Sequence, residues 1–149
     1  MSTLLATAAA TLLALVLGRT VRRRLGFLVE VESASMAPTL APGQRLMARR
    51  PDPSGTFRRG DVVVVASAEV RRPIIKRVVG LPGEHLDVDA NGQVRVDGRD
   101  LDEPYVVHRG GLARSFDVPL GHLLLLGDNR SCRSVRSWVE SLGPGGQAL

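Results

Sequence analysis

The chain has one cysteine, one lysine and very few aromatic residues. With Cys132 alone, no internal disulfide can close and no multi-cysteine metal site can be built. The three histidines, His85, His108 and His122, lie far apart and show no ligand spacing, so neither a metal nor another cofactor is expected. Aromatics make up 3% of the 149 residues, which leaves the core to the Val, Leu and Ile that dominate the 44% hydrophobic content. The same scarcity argues against nucleic acid as a partner. The net charge is +5, but nucleic-acid surfaces interleave basic residues with stacking aromatics, and here the arginines are spread along the chain.

Lysine is nearly absent while arginine is abundant: of twenty basic residues nineteen are Arg and one is Lys76. Codon bias accounts for the arginines but not for the exception. A buried lysine can give up its proton near neutral pH and an arginine cannot, so Lys76 is a candidate general base.

Residues 1–18 contain no charged side chain. As a helix they would extend roughly 27 Å, enough for a thin hydrocarbon core. Arg19, Arg22, Arg23 and Arg24 follow, where a cleavable leader would carry a small-residue cleavage site. The expectation is a single uncleaved membrane anchor with its basic flank over residues 1–24 and a domain over 25–149.

Past residue 30 no 3.6-residue amphipathic pattern occurs, and strand signals replace it. Val29 and Val31 alternate with Glu30 and Glu32. DVVVVAS (61–67) is a continuous β-branched run expected to be buried on both faces, and PIIKRVV (73–79) is a second that carries Lys76. Residues 85–98 read as a hairpin with Asn91-Gly92 in a tight turn. HLLLLGD (122–128) is a further strand, 51–60 is a loop, and the Gly-rich tail from Val139 to Leu149 lacks the look of a closing strand. The domain is expected to be all-β.

Against this background ESASMAPTL (32–40) places two serines and a proline in what reads as an extended segment. A serine hydroxyl is a weak nucleophile until a base takes its proton. None of the histidines sits in a buried run, whereas Lys76 shares a strand face with Ile74 and Val78, where desolvation disfavours its charged form. A Ser35–Lys76 dyad is therefore open. So is the plainer reading of a turn serine and a lysine that reaches the sheet edge.

Three strings in order then resemble the type I signal peptidases, membrane-bound serine proteases of the Ser–Lys dyad type. Ser33-Ala34-Ser35-Met36-Ala37-Pro38-Thr39-Leu40 looks like their nucleophile box, Lys76-Arg77-Val78-Val79-Gly80-Leu81-Pro82-Gly83-Glu84 their general-base box, and Gly127-Asp128-Asn129-Arg130 their third signature. Weaker matches are Arg59-Gly60-Asp61-Val62-Val63, Val96-Asp97-Gly98, Glu103-Pro104-Tyr105, Val118-Pro119 and Gly121-His122. The resemblance implies a signal-peptidase-like β-fold with Ser35 as nucleophile and Lys76 as base. It implies an oxyanion site formed by the Ser33 hydroxyl and the Ser35 backbone N–H, with Met36, Asp128, Asn129, Arg130, Ser134 and Arg136 in support. The implied partners are the membrane and the Ala-x-Ala-type signal peptides of exported precursors. The implied place is the cell membrane, with the catalytic domain outside the cytoplasm.

Two features depart from the pattern. The family continues with Asp-Ser-Arg and an aromatic; aligning Arg136 with that arginine puts Ser134 where the aspartate stands, with one residue deleted upstream. This motivates an alternative, a catalytically impaired relative that binds precursors or partners. The arginine cluster also follows the anchor, so the positive-inside rule favours a cytoplasmic domain, against the family's arrangement. A third reading, a self-cleaving repressor-like Ser–Lys protease, lacks a DNA-binding helix pair and does not account for the anchor.

Overall fold

The computed structural model describes residues 11–12, 14–15, 18, 26–49, 57–65, 73–110, 113–131 and 138–141. The expected anchor falls largely outside them, as do Arg19 and Arg22–Arg24. Thr11, Leu12, Ala14, Leu15 and Gly18 are helical, with Leu12 and Leu15 exposed. Among the described residues no helix is long and apolar enough to cross a membrane.

Among the described residues from 26 onward the regular structure is β-strand apart from one 3-10 turn, as the apolar alternation predicts. The strands are β1 (Phe27–Glu30), β2 (Arg45–Ala48), β3 (Val62–Val65), β4 (Ile74–Gly80), β5 (His85–Val88), β6 (Val94–Val96), β7 (Arg99–Asp100), β8 (Arg114–Asp117), β9 (His122–Leu126) and β10 (Trp138–Ser141). They form an antiparallel β1–β2 ribbon and two four-stranded sheets ordered β10-β9-β4-β3 and β7-β6-β5-β8.

β4 and β9 sit side by side in the middle of the first sheet, and their sequences show it: IIKRVVG and HLLLL are apolar at consecutive positions because both faces are covered. One face gives Val78, Leu123 and Leu125 to a cluster with Val63 and Val65. The other gives Val79, Leu124 and Leu126 to the cluster shared with the second sheet, where Leu86, Val94 and Val118 meet them. A third cluster, Val31, Met36 and Ile75, joins the ribbon to β4.

Gly80 marks a register shift in the β4–β9 pairing, and a Cβ there would lie 2.8 Å from both Leu124 Cβ and Leu86 Cδ1. Gly80→Ala would overpack this junction and should lower stability by about 1–3 kcal/mol. Thermal unfolding monitored by circular dichroism checks this.

Four sequence expectations are corrected. Among the described strands β3 lies at the end of its sheet, and its burial alternates: Val63 and Val65 are buried, Val64 is half-buried and Val62 is exposed. The 85–98 hairpin pairs Val88 with Val94, giving a five-residue loop instead of a tight Asn-Gly turn. The Asp89 carboxylate sets that loop by accepting from Asn91 N–H at 2.8 Å and Gln93 N–H at 2.9 Å, and only Gly92 takes a positive φ, of 80°. The tail does supply a strand: β10 pairs antiparallel with β9, Trp138 opposite Leu125. And β1 begins at Phe27, ahead of the Val29–Glu32 alternation. Of the expected 51–60 loop, residues 57–60 are described; Arg58 N–H donates to the Asp61 carboxylate at 2.8 Å in a turn.

Candidate active site

Ser35 lies in a single 3-10 turn, Ala34–Met36, so the expected extended segment is corrected at this point. Ser33 enters the turn extended, at φ −130° and ψ 158°. Ala37 N–H donates back to the Ala34 carbonyl at 3.1 Å, and Leu40 N–H to the Met36 carbonyl at 2.9 Å. Pro38 acts by ending the turn: the residue before a proline is pushed out of helical space, and Ala37 is extended at φ −68° and ψ 143°. The turn buries the Ser35 side chain at 7% exposure and leaves Ser33 at the surface, with the two hydroxyl oxygens 3.1 Å apart. Met36, 1% exposed, fills the core against Val31 and Ile75.

Lys76 is in β4 opposite Val63 and is 8% exposed. Serine and lysine are 41 positions apart in sequence, and the Ser35 backbone carbonyl and the Lys76 amine both come close to Gly127, just past β9. A Cβ at Gly127 would collide with the Ser35 carbonyl oxygen and lie 3.4 Å from Lys76 Nζ. Only glycine lets the chain pass this closely between them.

The next three residues tie the surrounding elements to that point. Asp128, fully buried, accepts from Arg77 Nε at 2.8 Å and Arg77 Nη2 at 2.6 Å, a bidentate pair, and from Thr39 Oγ1 at 2.5 Å. It thereby joins the Ser35 segment to β4. Asn129 N–H donates to the Ser35 carbonyl at 3.0 Å, and its side-chain amide donates to the Ala34 carbonyl at 3.2 Å. Arg130 donates through Nε to the Gly127 carbonyl at 2.9 Å, through Nη1 to the Gly92 carbonyl at 3.0 Å, and through Nη2 to Glu103 Oε1 at 2.5 Å.

Arg77 is held from several sides. Its Nη1 donates to the Gly60 carbonyl at 2.7 Å, and its guanidinium lies 4.0 Å from the centre of the Tyr105 ring. The hydrogen-bonded Asp128 carboxylate raises the pKa of Arg77, so its charge is secure. Tyr105 is pushed well above the usual tyrosine range, first by burial and then by the neighbouring Glu103 charge. It stays a phenol and donates to Glu103 Oε1 at 2.9 Å.

The structure therefore gathers Ser33, Ser35, Lys76, Asp128 and Asn129 around Gly127, with Arg130 bracing the segment from behind. Ser134 and Arg136 lie outside the described residues. Two histidine rings are engaged elsewhere, His85 with Asp117 and Asp87 and His122 with the Leu120 carbonyl, while His108 meets the site segment through its backbone, its carbonyl accepting from Arg130 N–H at 2.9 Å. Sequence reading gave no separate role to Thr39, Arg77, Glu103, Tyr105 or Gly127. Arg77 had a signal in its place beside the lone lysine, and Glu103 and Tyr105 had one in the weak Glu103-Pro104-Tyr105 match.

The model of the family described as "Signal peptidase, peptidase S26" matches residues 4–134. Signal peptidase I U of Bacillus subtilis (strain 168) is 32% identical over 111 residues, covering 67% of this chain and 59% of the relative. Signal peptidase I of Bacillus licheniformis is 32% identical over 143 residues, covering 86% of this chain and 74% of the relative. The chain thus spans 59% to 74% of the length of these two relatives. A crystal structure of a signal peptidase I from Enterococcus faecalis V583 shares the fold, with a TM-score of 0.52 at 20% identity over 62% of this chain and 93% of that one.

Proposed function

The chain belongs to the signal peptidase family, peptidase S26, and on that premise we propose that it is a membrane-anchored serine endopeptidase that cuts Ala-x-Ala-type signal peptides from exported precursors. The observation that carries this reading is the convergence of a buried serine and the chain's one lysine, also buried, on Gly127.

In this mechanism Ser35 Oγ passes its proton to the neutral Lys76 amine and attacks the scissile carbonyl. The proton then goes from Lys76 to the leaving amine, and a water activated by the same amine releases the acyl group from Ser35. The few water contacts left to Lys76 suit an amine that must be neutral to act. Asp128 and Asn129 hold the nucleophile segment against β4, which limits the spread of serine–lysine geometries. The anchor of residues 1–24 would keep the domain beside a substrate that is itself in the bilayer, with the catalytic domain outside the cytoplasm.

Ser33 is proposed as an oxyanion donor, supported by its hydroxyl lying 3.1 Å from Ser35 Oγ. Loss of one such donor removes about 3 kcal/mol of transition-state stabilisation. Ser33→Ala should therefore lower kcat about 100-fold with little change in KM, read from steady-state cleavage of a precursor.

The test of the base is the pH profile of precursor cleavage by the detergent-solubilised protein. A lysine base gives a rate that keeps rising above about pH 7 as the amine loses its proton. A rate already level below about pH 6 would assign the base to a carboxylate or histidine. The impaired-relative alternative drew on Ser134, and no described contact favours it.

A further inference from the structure

Glu103 and Tyr105 lie in a loop after β7, remote in sequence from the nucleophile and base segments, yet both arms of the site's bracing end on one of their atoms. Glu103 is 2% exposed, and its Oε1 accepts from Arg130 Nη2 at 2.5 Å and from Tyr105 Oη at 2.9 Å. The first arm runs through Arg130 Nε to the carbonyl of Gly127, the residue against which the Ser35 carbonyl and Lys76 Nζ are set. The second runs through the Tyr105 ring, which covers the Arg77 guanidinium at 4.0 Å. Arg77 clamps Asp128, and Asp128 takes the Thr39 hydroxyl on the nucleophile segment.

We propose that Tyr105 and Glu103 are positioning residues for the Ser35–Lys76 pair, acting through Arg77 and Arg130 on the Gly127–Asp128 segment. The inference rests on the Ser–Lys reading given above. Glu103 supplies a fixed carboxylate that orients Arg130. Tyr105 supplies a flat face that leaves Arg77 one plane in which to meet Asp128. Removing the face lets Arg77 rotate, and the Asp128–Thr39 link to the Ser35 turn loosens with it. A displacement of about 1 Å at the reacting atoms is enough to lower the rate on the order of 100-fold.

The test compares Tyr105→Leu and Tyr105→Phe in the full chain, assayed on a precursor with an Ala-x-Ala site at a temperature where each is fully folded by circular dichroism. Tyr105→Leu should lower kcat about 10- to 100-fold with KM within about twofold of wild type. It should also displace the acid limb of the pH–rate profile, because the setting of the lysine changes. Tyr105→Phe keeps the ring over Arg77 and should recover most of the rate. A Tyr105→Leu protein that melts earlier but keeps wild-type kcat and pH profile while folded would overturn the proposal, leaving Tyr105 a structural residue. So would a Phe variant as slow as the Leu variant, since the ring face would then not be what matters. Ser35→Ala in the same assay separates the two readings: if it still cuts, the dyad itself fails; if it is inactive and Tyr105→Leu is not slowed, only the positioning role fails.

Discussion

Replacing Lys76 by arginine should reduce precursor cleavage by about 100- to 10,000-fold, the range that a general base contributes. Arginine preserves the positive charge and much of the aliphatic stem, so a lysine that served only as an electrostatic or packing element would be largely replaced by it. What arginine cannot do is release a proton in the working pH range. Among the described contacts no second candidate reaches Ser35: the rings of His85 and His122 bond to other groups, His108 is tied to Arg130 through its backbone carbonyl, and Asp128 is occupied by Arg77 and Thr39. Retention of even a tenth of wild-type turnover would remove Lys76 from the role of base. Because Lys76 is 8% exposed, the larger guanidinium should also lower the melting temperature, and activity must be compared at a temperature where both proteins are folded.

The largest loss of stability is expected at Arg130. Its side chain is 3% exposed and pairs with the fully buried Glu103 carboxylate at 2.5 Å. Arg130→Met leaves that carboxylate buried with only Tyr105 to bond it, and breaking a buried pair from one side destabilises by about 3–5 kcal/mol. For a domain of this size that corresponds to a fall of more than about 10 °C in Tm. Combining Arg130→Met with Glu103→Leu removes the stranded charge and should recover a large part of the loss. A single variant that melts within about 2 °C of wild type would show that the pair contributes little. A double variant as unstable as the single one would show that the loss comes from the Gly127 and Gly92 carbonyls that Arg130 also bonds.

How far the sequence leads depends on how local each signal is. The three strings around Ser35, Lys76 and Asp128 are contiguous, and each carries its own chemistry, so they are readable one by one. The apolar runs of β4 and β9 are equally plain because both strands are covered on two faces. DVVVVAS misled because composition does not tell a central strand from an end one; that depends on which strands pair, and β3 has a partner on one side only among those described. β2, β7 and β8 carry mixed or exposed side chains and owe their form to the neighbours they pair with, so they have weak signatures. Proline after Ser35 suggested extension, but the Ala37-to-Ala34 hydrogen bond makes a turn instead. Contacts made at long sequence separation were the least visible. Thr39 meets Asp128 across 89 positions, and Arg130 meets Glu103 across 27, and nothing in either local stretch announces the partner.

The central claim is that Ser35, activated by Lys76, cuts a precursor at its Ala-x-Ala site. The most direct measurement is the mass of the products when the full chain and its Ser35→Ala variant, both in detergent, are incubated with the same precursor. The account predicts one cut, immediately after the second alanine, by the wild-type chain, and an intact precursor with the variant. An intact precursor with both proteins, or a cut that Ser35→Ala still makes, would contradict it.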